Sequence, residues 1–161
     1  HNGGNNFLPW VYQDLFFTSI VYDEITPAIQ GSQLFSDDMK RYHVLLITGI
    51  ANPAPLVEHL KGQVGQITHR AFPDHHRYTT KEIFGLAEEF EKWDTRNKII
   101  ITTEKDLARI RFIGGLPEHF LEKLFYIPIT VRFLNKTKDQ FNRKIKDYVT
   151  ENKSNSKLHK R

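Results

Sequence analysis

Strand-like runs that alternate with helix-like stretches most constrain the fold of this chain. Residues 43–50 (HVLLITGI) and 98–103 (KIIITT) are almost continuously apolar, which is typical of strands buried on both faces of a parallel sheet. Residues 64–72 (VGQITHRAF) and 124–131 (LFYIPITV) are two further predicted strands, and Pro128 can interrupt the second of them. We therefore predict four strands in the central and C-terminal parts of the chain.

The stretches between these strands have apolar residues at helical spacing. A helix over residues 80–93 is predicted because Thr79 and Glu82 can form a capping box and the apolar residues that follow share one face. Asn52 is placed to cap a helix that begins at Pro53, and Thr103 with Asp106 to cap another. A last helix has an apolar stripe on an otherwise basic surface, formed by Phe141, Ile145, Tyr148 and Val149.

The order strand, helix, strand, helix, strand, helix, strand indicates an α/β fold. We predict a three-layer α/β/α domain with a mainly parallel sheet of about four strands, preceded by a linker strand within residues 15–22 (LFFTSIVY). Right-handed crossovers place every strand-to-helix loop at one edge of such a sheet, where open α/β sheets bind their ligands.

The predicted organisation has four parts. Residues 1–13, which begin with HNGGNN and not with Met, are expected to be a tag remnant or a disordered terminus. Residues 14–41 are interpreted as an inter-domain linker segment, 42–150 as an α/β domain and 151–161 as a basic polar tail. The chain is therefore expected to be a piece of a longer protein.

Composition and charge limit the classes of function. The 161 residues include no cysteine, which excludes disulfides, thiolate metal sites and a catalytic thiol. No apolar run reaches the roughly 20 residues of a membrane-spanning helix. Residues 136–161 hold nine Lys or Arg and three Asp or Glu, a net charge of +6, whereas the rest of the chain has 14 basic and 16 acidic residues. Such a tail is either a solvated surface or a site for phosphates, nucleic acid or an anionic membrane.

Three predicted strand-to-helix loops have distinctive chemistry: TGIANP, FPDHHRYT and TTEKD. The second loop contains Asp74, His75, His76, Arg77 and Tyr78 in consecutive positions. Because imidazole titrates near neutral pH, a catalytic or ligand-orienting histidine is one interpretation of this loop. A metal site and a polar loop without chemistry are the alternatives, although adjacent histidines rarely both reach one ion.

The other two loops allow plain structural explanations. In TTEKD, capping by Thr103 and surface pairing of Glu104 with Lys105 would suffice. In TGIANP, a tight turn at Gly49 would suffice. The chain has no G-x-x-x-x-G-K-[ST], G-x-S-x-G or G-x-G-x-x-G motif. The residues alone therefore indicate an α/β domain with a polar loop cluster and no complete catalytic apparatus.

In their order and spacing, LLITGIANPAPLVEHL, FPDHHRYT and IIITTEKDLARI resemble the C-terminal part of the tetraacyldisaccharide 4'-kinases, the lipid A kinases of Gram-negative bacteria. LFFTSIVYDEITP resembles the segment that links the two domains of that family. The resemblance covers about residues 14–148.

This resemblance implies the function of a complete enzyme. Such an enzyme transfers the γ-phosphate of ATP, with Mg²⁺, to the 4'-hydroxyl of tetraacyldisaccharide 1-phosphate at the cytoplasmic side of the inner membrane, where it is a peripheral protein. ATP and Mg²⁺ would be bound mainly by an N-terminal P-loop domain, so no cofactor is expected in this chain, which alone is expected to be inactive. The implied partners are that domain, the lipid A precursor and the anionic membrane surface, and not nucleic acid.

The resemblance also implies a role for His75. This residue follows the Asp of the F-P-D-H motif, at the position where the family has a histidine that works with an acidic residue of the other domain. Asp74 or a backbone carbonyl would fix the tautomer of His75, and no metal ligand is expected. Five further residues are expected to support the loop or to lie near substrate or nucleotide: His76, Arg77, Tyr78, Glu104 and Lys105.

Two other functions stay open on the residues alone. The chain could be a stand-alone α/β module that binds nucleotide or anionic lipid through the loop cluster and the basic tail, without catalysis. A metal-dependent phosphoesterase is suggested by the D-H-H tripeptide, but the second Asp-rich motif that such enzymes need is absent from the sequence.

Overall fold

The computed structural model describes residues 14–32, 34 and 36–158, with side chains described up to residue 151. The expectation for residues 1–13 lies outside this range. The chain divides into two compact units, of which one spans Val21–Thr130 and the other consists of the segments on either side of it.

The described residues form seven strands and five α-helices. The strands are β1 (Thr18–Tyr22), β2 (Thr26–Pro27), β3 (His43–Thr48), β4 (Gln66–Ala71), β5 (Lys98–Thr103), β6 (Leu124–Ile127) and β7 (Ile129–Phe133). The helices are α1 (Ala54–Lys61), α2 (Thr80–Glu91), α3 (Glu104–Ile110), α4 (Glu118–Glu122) and α5 (Lys138–Leu158). Short 3₁₀ helices cover Met39–Arg41 and Leu134–Lys136.

The Val21–Thr130 unit is built on a five-stranded sheet in the order β2-β6-β5-β3-β4. Strands β4, β3, β5 and β6 run parallel to their neighbours, and β2 at the edge is antiparallel to β6. The mainly parallel sheet predicted from the apolar runs is confirmed, and β2 is an additional edge strand that sequence reasoning did not predict.

The side chains of β3 and β5 alternate between two cores on opposite faces of the sheet. Leu45 and Ile100 belong to the core that α2, α3 and α4 cover, whereas Leu46 and Ile101 belong to the core that α1 covers. All four side chains are fully buried. The strands are apolar throughout because neither face meets water, and the resulting three-layer architecture is the one predicted.

Two helices begin at the residues that the capping patterns predict. Thr79 and Glu82 form a complete capping box at the start of α2, in which the Thr79 N–H donates to the Glu82 carboxylate at 2.8 Å. Thr103 caps α3 by accepting a hydrogen bond from the Asp106 N–H at 3.1 Å. These caps fix where the second and third loops end.

The strand predicted over residues 124–131 is divided at Pro128. Strand β6 ends at Ile127, and β7 pairs with β1 in a separate two-stranded sheet. Proline interrupts the strand because it has no N–H to donate to a neighbouring strand. The strands predicted over 43–50 and 64–72 also end one or two residues early, where their loops begin.

The flanking unit contains α5 and an aromatic cluster. The rings of Phe16, Phe133 and Phe141 pack with centroid separations of 5.0 to 6.5 Å. The remaining residues of the predicted apolar stripe are exposed on α5: Ile145, Tyr148 and Val149. Within residues 14–32, 34 and 36–158, no helix is long and apolar enough to cross a membrane.

Candidate functional site

Strands β3 and β5 are neighbours in the sheet, and the helices that follow them pack on opposite faces. Helix α1, after β3, contributes Leu56 to one core, and helix α3, after β5, contributes Leu107 to the other. The chain therefore leaves the two strands in opposite directions, which creates a crevice outside their carboxyl ends. All three loops that are distinctive in the sequence meet at this edge.

The Asp106 carboxylate joins the first loop to the third. It is fully buried, and its Oδ2 accepts hydrogen bonds from the Gly49 N–H and the Thr103 hydroxyl, both at 2.8 Å. Its Oδ1 accepts a hydrogen bond from Arg109 Nη1 at 3.1 Å. A buried charge is tolerated when it is paired and hydrogen-bonded in this way. These contacts hold the ends of β3 and β5 in one arrangement.

Gly49 lies close to both Tyr78 and Asp106. A Cβ atom at position 49 would lie 2.9 Å from the Tyr78 hydroxyl and 3.0 Å from Asp106 Oδ1. Burial, and then the charge of Asp106, raises the pKa of the Tyr78 phenol. The hydroxyl makes no hydrogen bond of good geometry with the described residues, although it is close enough to Asp106 for that charge to act on it. Tyr78 therefore serves mainly to pack the second loop against the first.

His75 is exposed and has a left-handed backbone conformation, with φ at 59°. Such a conformation is uncommon outside glycine and costs free energy, so the surrounding contacts must hold it. The His75 N–H donates to Asp74 Oδ1 at 2.9 Å, and the His76 N–H donates to the Pro73 carbonyl oxygen at 3.1 Å, which closes a turn. On the imidazole, Arg109 Nη2 lies 3.3 Å from Nδ1 and Asp74 Oδ2 lies 3.5 Å from Nε2.

Asp74 connects the second loop to the third. Lys105 Nζ donates to Asp74 Oδ1 at 3.1 Å. This hydrogen bond is the main reason that the pKa of Asp74 is lowered, and the His75 N–H contributes in the same direction. The sequence suggested that Lys105 pairs with Glu104 on the surface, and this was wrong. Lys105 pairs with Asp74, and Glu104 is exposed at the start of α3.

His76 differs from its neighbour in every contact. Its Nε2 lies 3.1 Å from both oxygens of Glu82, and its ring stacks on Phe72 with a centroid separation of 4.8 Å. The Tyr78 ring packs edge-on against it at 5.1 Å. Hydrogen bonds from Thr79 and then from His76 lower the pKa of Glu82. These contacts tie the loop to the first turn of α2 and leave His76 mostly covered.

A shallow cavity of about 530 Å³ lies beside the loop. Its lining includes His75, Arg77 and Arg109, with no acidic side chain, and Phe112 at its rim is 91% exposed. Arg77 is exposed and makes no hydrogen bond or ion pair with the described residues. Among the described residues there is also no group of three or more His, Asp and Glu that could hold a metal ion.

Four site residues have roles that sequence reasoning missed. Asp106 and Glu82 were recognised only as capping residues, and Gly49 only as a turn. Arg109 was not identified, and its sole sequence signal is its position three residues after Asp106, on the same side of a helix.

These features define an α/β domain with a polar loop cluster at the switch point of a parallel sheet. The chain belongs to the tetraacyldisaccharide-1-P 4'-kinase family, whose model matches residues 17–150. The resemblance stated from the sequence motifs is therefore confirmed.

Individual relatives support the same assignment. The tetraacyldisaccharide 4'-kinase of Bacteroides thetaiotaomicron is 34% identical over 159 residues, which cover 93% of this chain and 42% of the relative. That of Phocaeicola vulgatus is 35% identical over 147 residues, which cover 90% and 40%. The chain thus spans about two fifths of the length of these relatives. A crystal structure of LpxK from Aquifex aeolicus in complex with ATP is similar at a TM-score of 0.42 and 19% identity, over 76% of this chain and 33% of that one.

Proposed function

We propose that this chain is the C-terminal portion of a tetraacyldisaccharide 4'-kinase. The complete protein would transfer the γ-phosphate of ATP to the 4'-hydroxyl of tetraacyldisaccharide 1-phosphate. The family match over residues 17–150 supports this proposal, as does the position of the F-P-D-H-H loop at the ligand-binding edge of the sheet. The names of the relatives supply the reaction class.

Sites for ATP and Mg²⁺ are expected mainly outside this chain. The sequence has no phosphate-binding P-loop motif, and the described residues offer no cluster of metal ligands. We therefore assign both to the part of the relatives' length that this chain does not span. Positioning and electrostatic stabilisation of the phosphates account for most of the catalysis in phosphoryl transfer. The contribution of this domain would then be made at the acceptor side of the reaction.

The observation that carries the proposal is the contrast between His75 and His76. The His75 side chain is 74% exposed and its ring nitrogens lie 3.3 Å from Arg109 and 3.5 Å from Asp74, whereas the His76 side chain is 22% exposed and Glu82 holds it at 3.1 Å. We assign to His75 the task of binding and orienting a carboxylate of the nucleotide-binding domain beside the acceptor hydroxyl. An imidazole N–H donated to a carboxylate fixes the direction of the carboxylate and influences its proton affinity.

The test is a pair of variants in the complete protein that contains this chain. His75→Ala should lower turnover by a factor at or below the roughly 10²–10⁴-fold of a general acid–base group. It should change ATP binding little, and His76→Ala should cost less turnover than His75→Ala. Both variants are assayed at saturating ATP and lipid, and the 161-residue chain alone is the control, which should show no Mg²⁺-dependent kinase activity.

The other outcomes are equally informative. Full turnover in His75→Ala combined with loss in His76→Ala would mean that the assignment is off by one position. Full turnover in both variants would show that the loop is structural. Kinase activity in the 161-residue chain alone would contradict the assignment of nucleotide binding to another domain.

We further propose that α5 contacts an anionic membrane surface. Its exposed apolar residues Ile145, Tyr148 and Val149 share one face of the helix, Lys146 lies at the edge of that face, and Arg143 is a further exposed base on the helix. A helix with this distribution can lie in the interface of a bilayer. Lys144 on the same helix is already paired with Asp14, which leaves Arg143 and Lys146 for the lipid headgroups.

A further inference from the structure

The hydrogen-bonding partner of His75 Nδ1 is a residue that cannot accept a hydrogen bond. Arg109 Nη2 lies 3.3 Å from Nδ1, and a guanidinium has donors only. Nδ1 must therefore be the acceptor in this contact, and in the neutral ring the proton must be on Nε2. On the other side of the ring, Asp74 Oδ2 lies 3.5 Å from Nε2 and is an acceptor. The neutral ring with its proton on Nε2 is the form that suits both neighbours.

Arg109 is itself fixed from the interior of the domain. Its Nη1 donates to Asp106 Oδ1 at 3.1 Å and to the Gly49 carbonyl oxygen at 3.3 Å. Asp106 is fully buried and held by the Gly49 N–H and the Thr103 hydroxyl. The direction of Nη2 is thus set by contacts at the ends of β3 and β5.

We propose that Arg109, held by Asp106, is a positioning residue for His75. One nitrogen of the guanidinium donates to Asp106 and the other occupies His75 Nδ1, so that the ring carries its proton on Nε2, on the side where Asp74 Oδ2 lies at 3.5 Å. This inference rests on the proposed function, because it supplies the donor that His75 would offer to a carboxylate of the other domain. Asp74, which was expected to fix the tautomer, lies at the other ring nitrogen and favours the same form, so Arg109 is a second residue that acts on it.

The two terminal nitrogens of the guanidinium explain why a lysine could not replace Arg109. Arginine presents separate N–H groups in a fixed planar fork, whereas lysine has a single ammonium on a flexible stem. Arg109→Lys should therefore keep a positive charge beside Asp106 but release Nδ1 of His75. Arg109→Gln would remove the charge as well and leave the Asp106 carboxylate buried without its cation.

The tautomer can be measured directly on the 161-residue protein. Long-range ¹H–¹⁵N spectra are recorded about two pH units above the ordinary histidine pKa of about 6.5, and His75→Gln identifies the signals. In the unmodified protein, Nδ1 should resonate as an unprotonated nitrogen and Nε2 as a protonated one. In Arg109→Lys both signals should move toward intermediate values, because the two tautomers would then exchange.

Arg41 provides a matched control. It also pairs with an Asp three residues away, Asp38, at 3.4 Å, but both partners are exposed. Arg41→Gln should leave the His75 spectrum unchanged. If Arg109→Lys also leaves it unchanged in a folded protein, the inference is wrong, whatever the role of His75 in catalysis.

Kinetics on the complete protein separate this inference from the proposed function. Arg109→Lys should lower kcat and leave KM for ATP nearly unchanged, and adding it to His75→Ala should cause no further loss, because both changes remove the same interaction. Losses that multiply in the double variant would overturn the positioning role. If the tautomer shifts in Arg109→Lys but His75→Ala retains full turnover, Arg109 does position His75 and the catalytic role of His75 is what fails.

Discussion

Replacing Gly49 with alanine should destabilise the protein through two identifiable contacts. The new Cβ would lie 2.9 Å from the Tyr78 hydroxyl and 3.0 Å from Asp106 Oδ1, against ordinary contacts of 3.4–4 Å. Overpacking of this kind costs about 1–3 kcal/mol. Gly49 does not have a positive φ, so alanine suits its backbone and restricts the unfolded chain, which returns about 0.4–1 kcal/mol. We expect a net loss of roughly 1–2 kcal/mol in the free energy of unfolding.

A double-mutant cycle with Tyr78→Phe tests the origin of this loss. The phenylalanine removes the oxygen that the new Cβ would meet at 2.9 Å and leaves the contact with Asp106. Tyr78→Phe alone should cost little, because the buried hydroxyl makes no hydrogen bond of good geometry. In the Tyr78→Phe background, Gly49→Ala should therefore be less destabilising by at least about 0.5 kcal/mol, the lower end of coupling energies between touching residues.

Equilibrium urea unfolding of the four proteins in the cycle gives these free energies, and Gly62→Ala is the control. Gly62 has an ordinary helical φ of −73°, and a Cβ added there would have no atom within 4 Å, so its replacement should be neutral or slightly stabilising. The reasoning fails if Gly49→Ala costs the same in both backgrounds, or if it is no more harmful than Gly62→Ala.

Three further predictions concern buried histidines, the end of α2 and the exposed bases of α5. Burial lowers the pKa of His43 and His69, so just below the ordinary value of 6.5 the unfolded chain binds more protons than the folded chain, and the free energy of unfolding should rise with pH there. His69→Gln should flatten this rise in urea midpoints measured from about pH 5 to 8. Lys98 donates to the carbonyl oxygens of Phe90, Glu91 and Trp93 at the end of α2. Lys98→Met should therefore lower the free energy of unfolding by about 1–2 kcal/mol and speed hydrogen exchange at that end of the helix. Lys81→Met, in the first turn of α2, should do neither. The double variant with Arg143→Gln and Lys146→Gln should lose about 1 kcal/mol of binding free energy per base in sedimentation with anionic liposomes. The control with Lys61→Gln and Lys92→Gln should lose less. Binding that does not depend on lipid charge and salt would contradict the membrane proposal.

The fold was predictable because its main determinants are local and periodic. The apolar runs of β3 and β5 and the capping patterns at Thr79 and Thr103 each indicate an element within a few residues of its true end. Strand β2 and helix α4 were missed because, at two and five residues, they are too short to show a period. They exist because the sheet edge and the adjacent core accept them, which is tertiary information.

For the candidate site, the sequence predicts only which loops lie close together. Strand order places the carboxyl ends of β3, β4 and β5 together, and the sequence indicates those strands. The bonds that organise the site join residues far apart in the chain, such as Gly49 with Asp106 and Arg109 with His75. No local pattern encodes such a pair, so the anchoring role of Asp106 and the identity of Arg109 could only come from the structure.

The two adjacent histidines show why residue type and position alone were insufficient. In an extended or a helical segment, neighbouring side chains diverge in a regular way, but here His75 has a φ of 59° and reverses the chain. The reversal sends His76 into contact with Glu82 and Phe72, and it brings His75 to Arg109 at the rim. Because His76 is engaged in anchoring the loop, its loss would disturb the position of His75 as well. Turnover of His76→Ala must therefore be read beside its stability, whereas His75→Ala removes an exposed ring and should leave the free energy of unfolding almost unchanged.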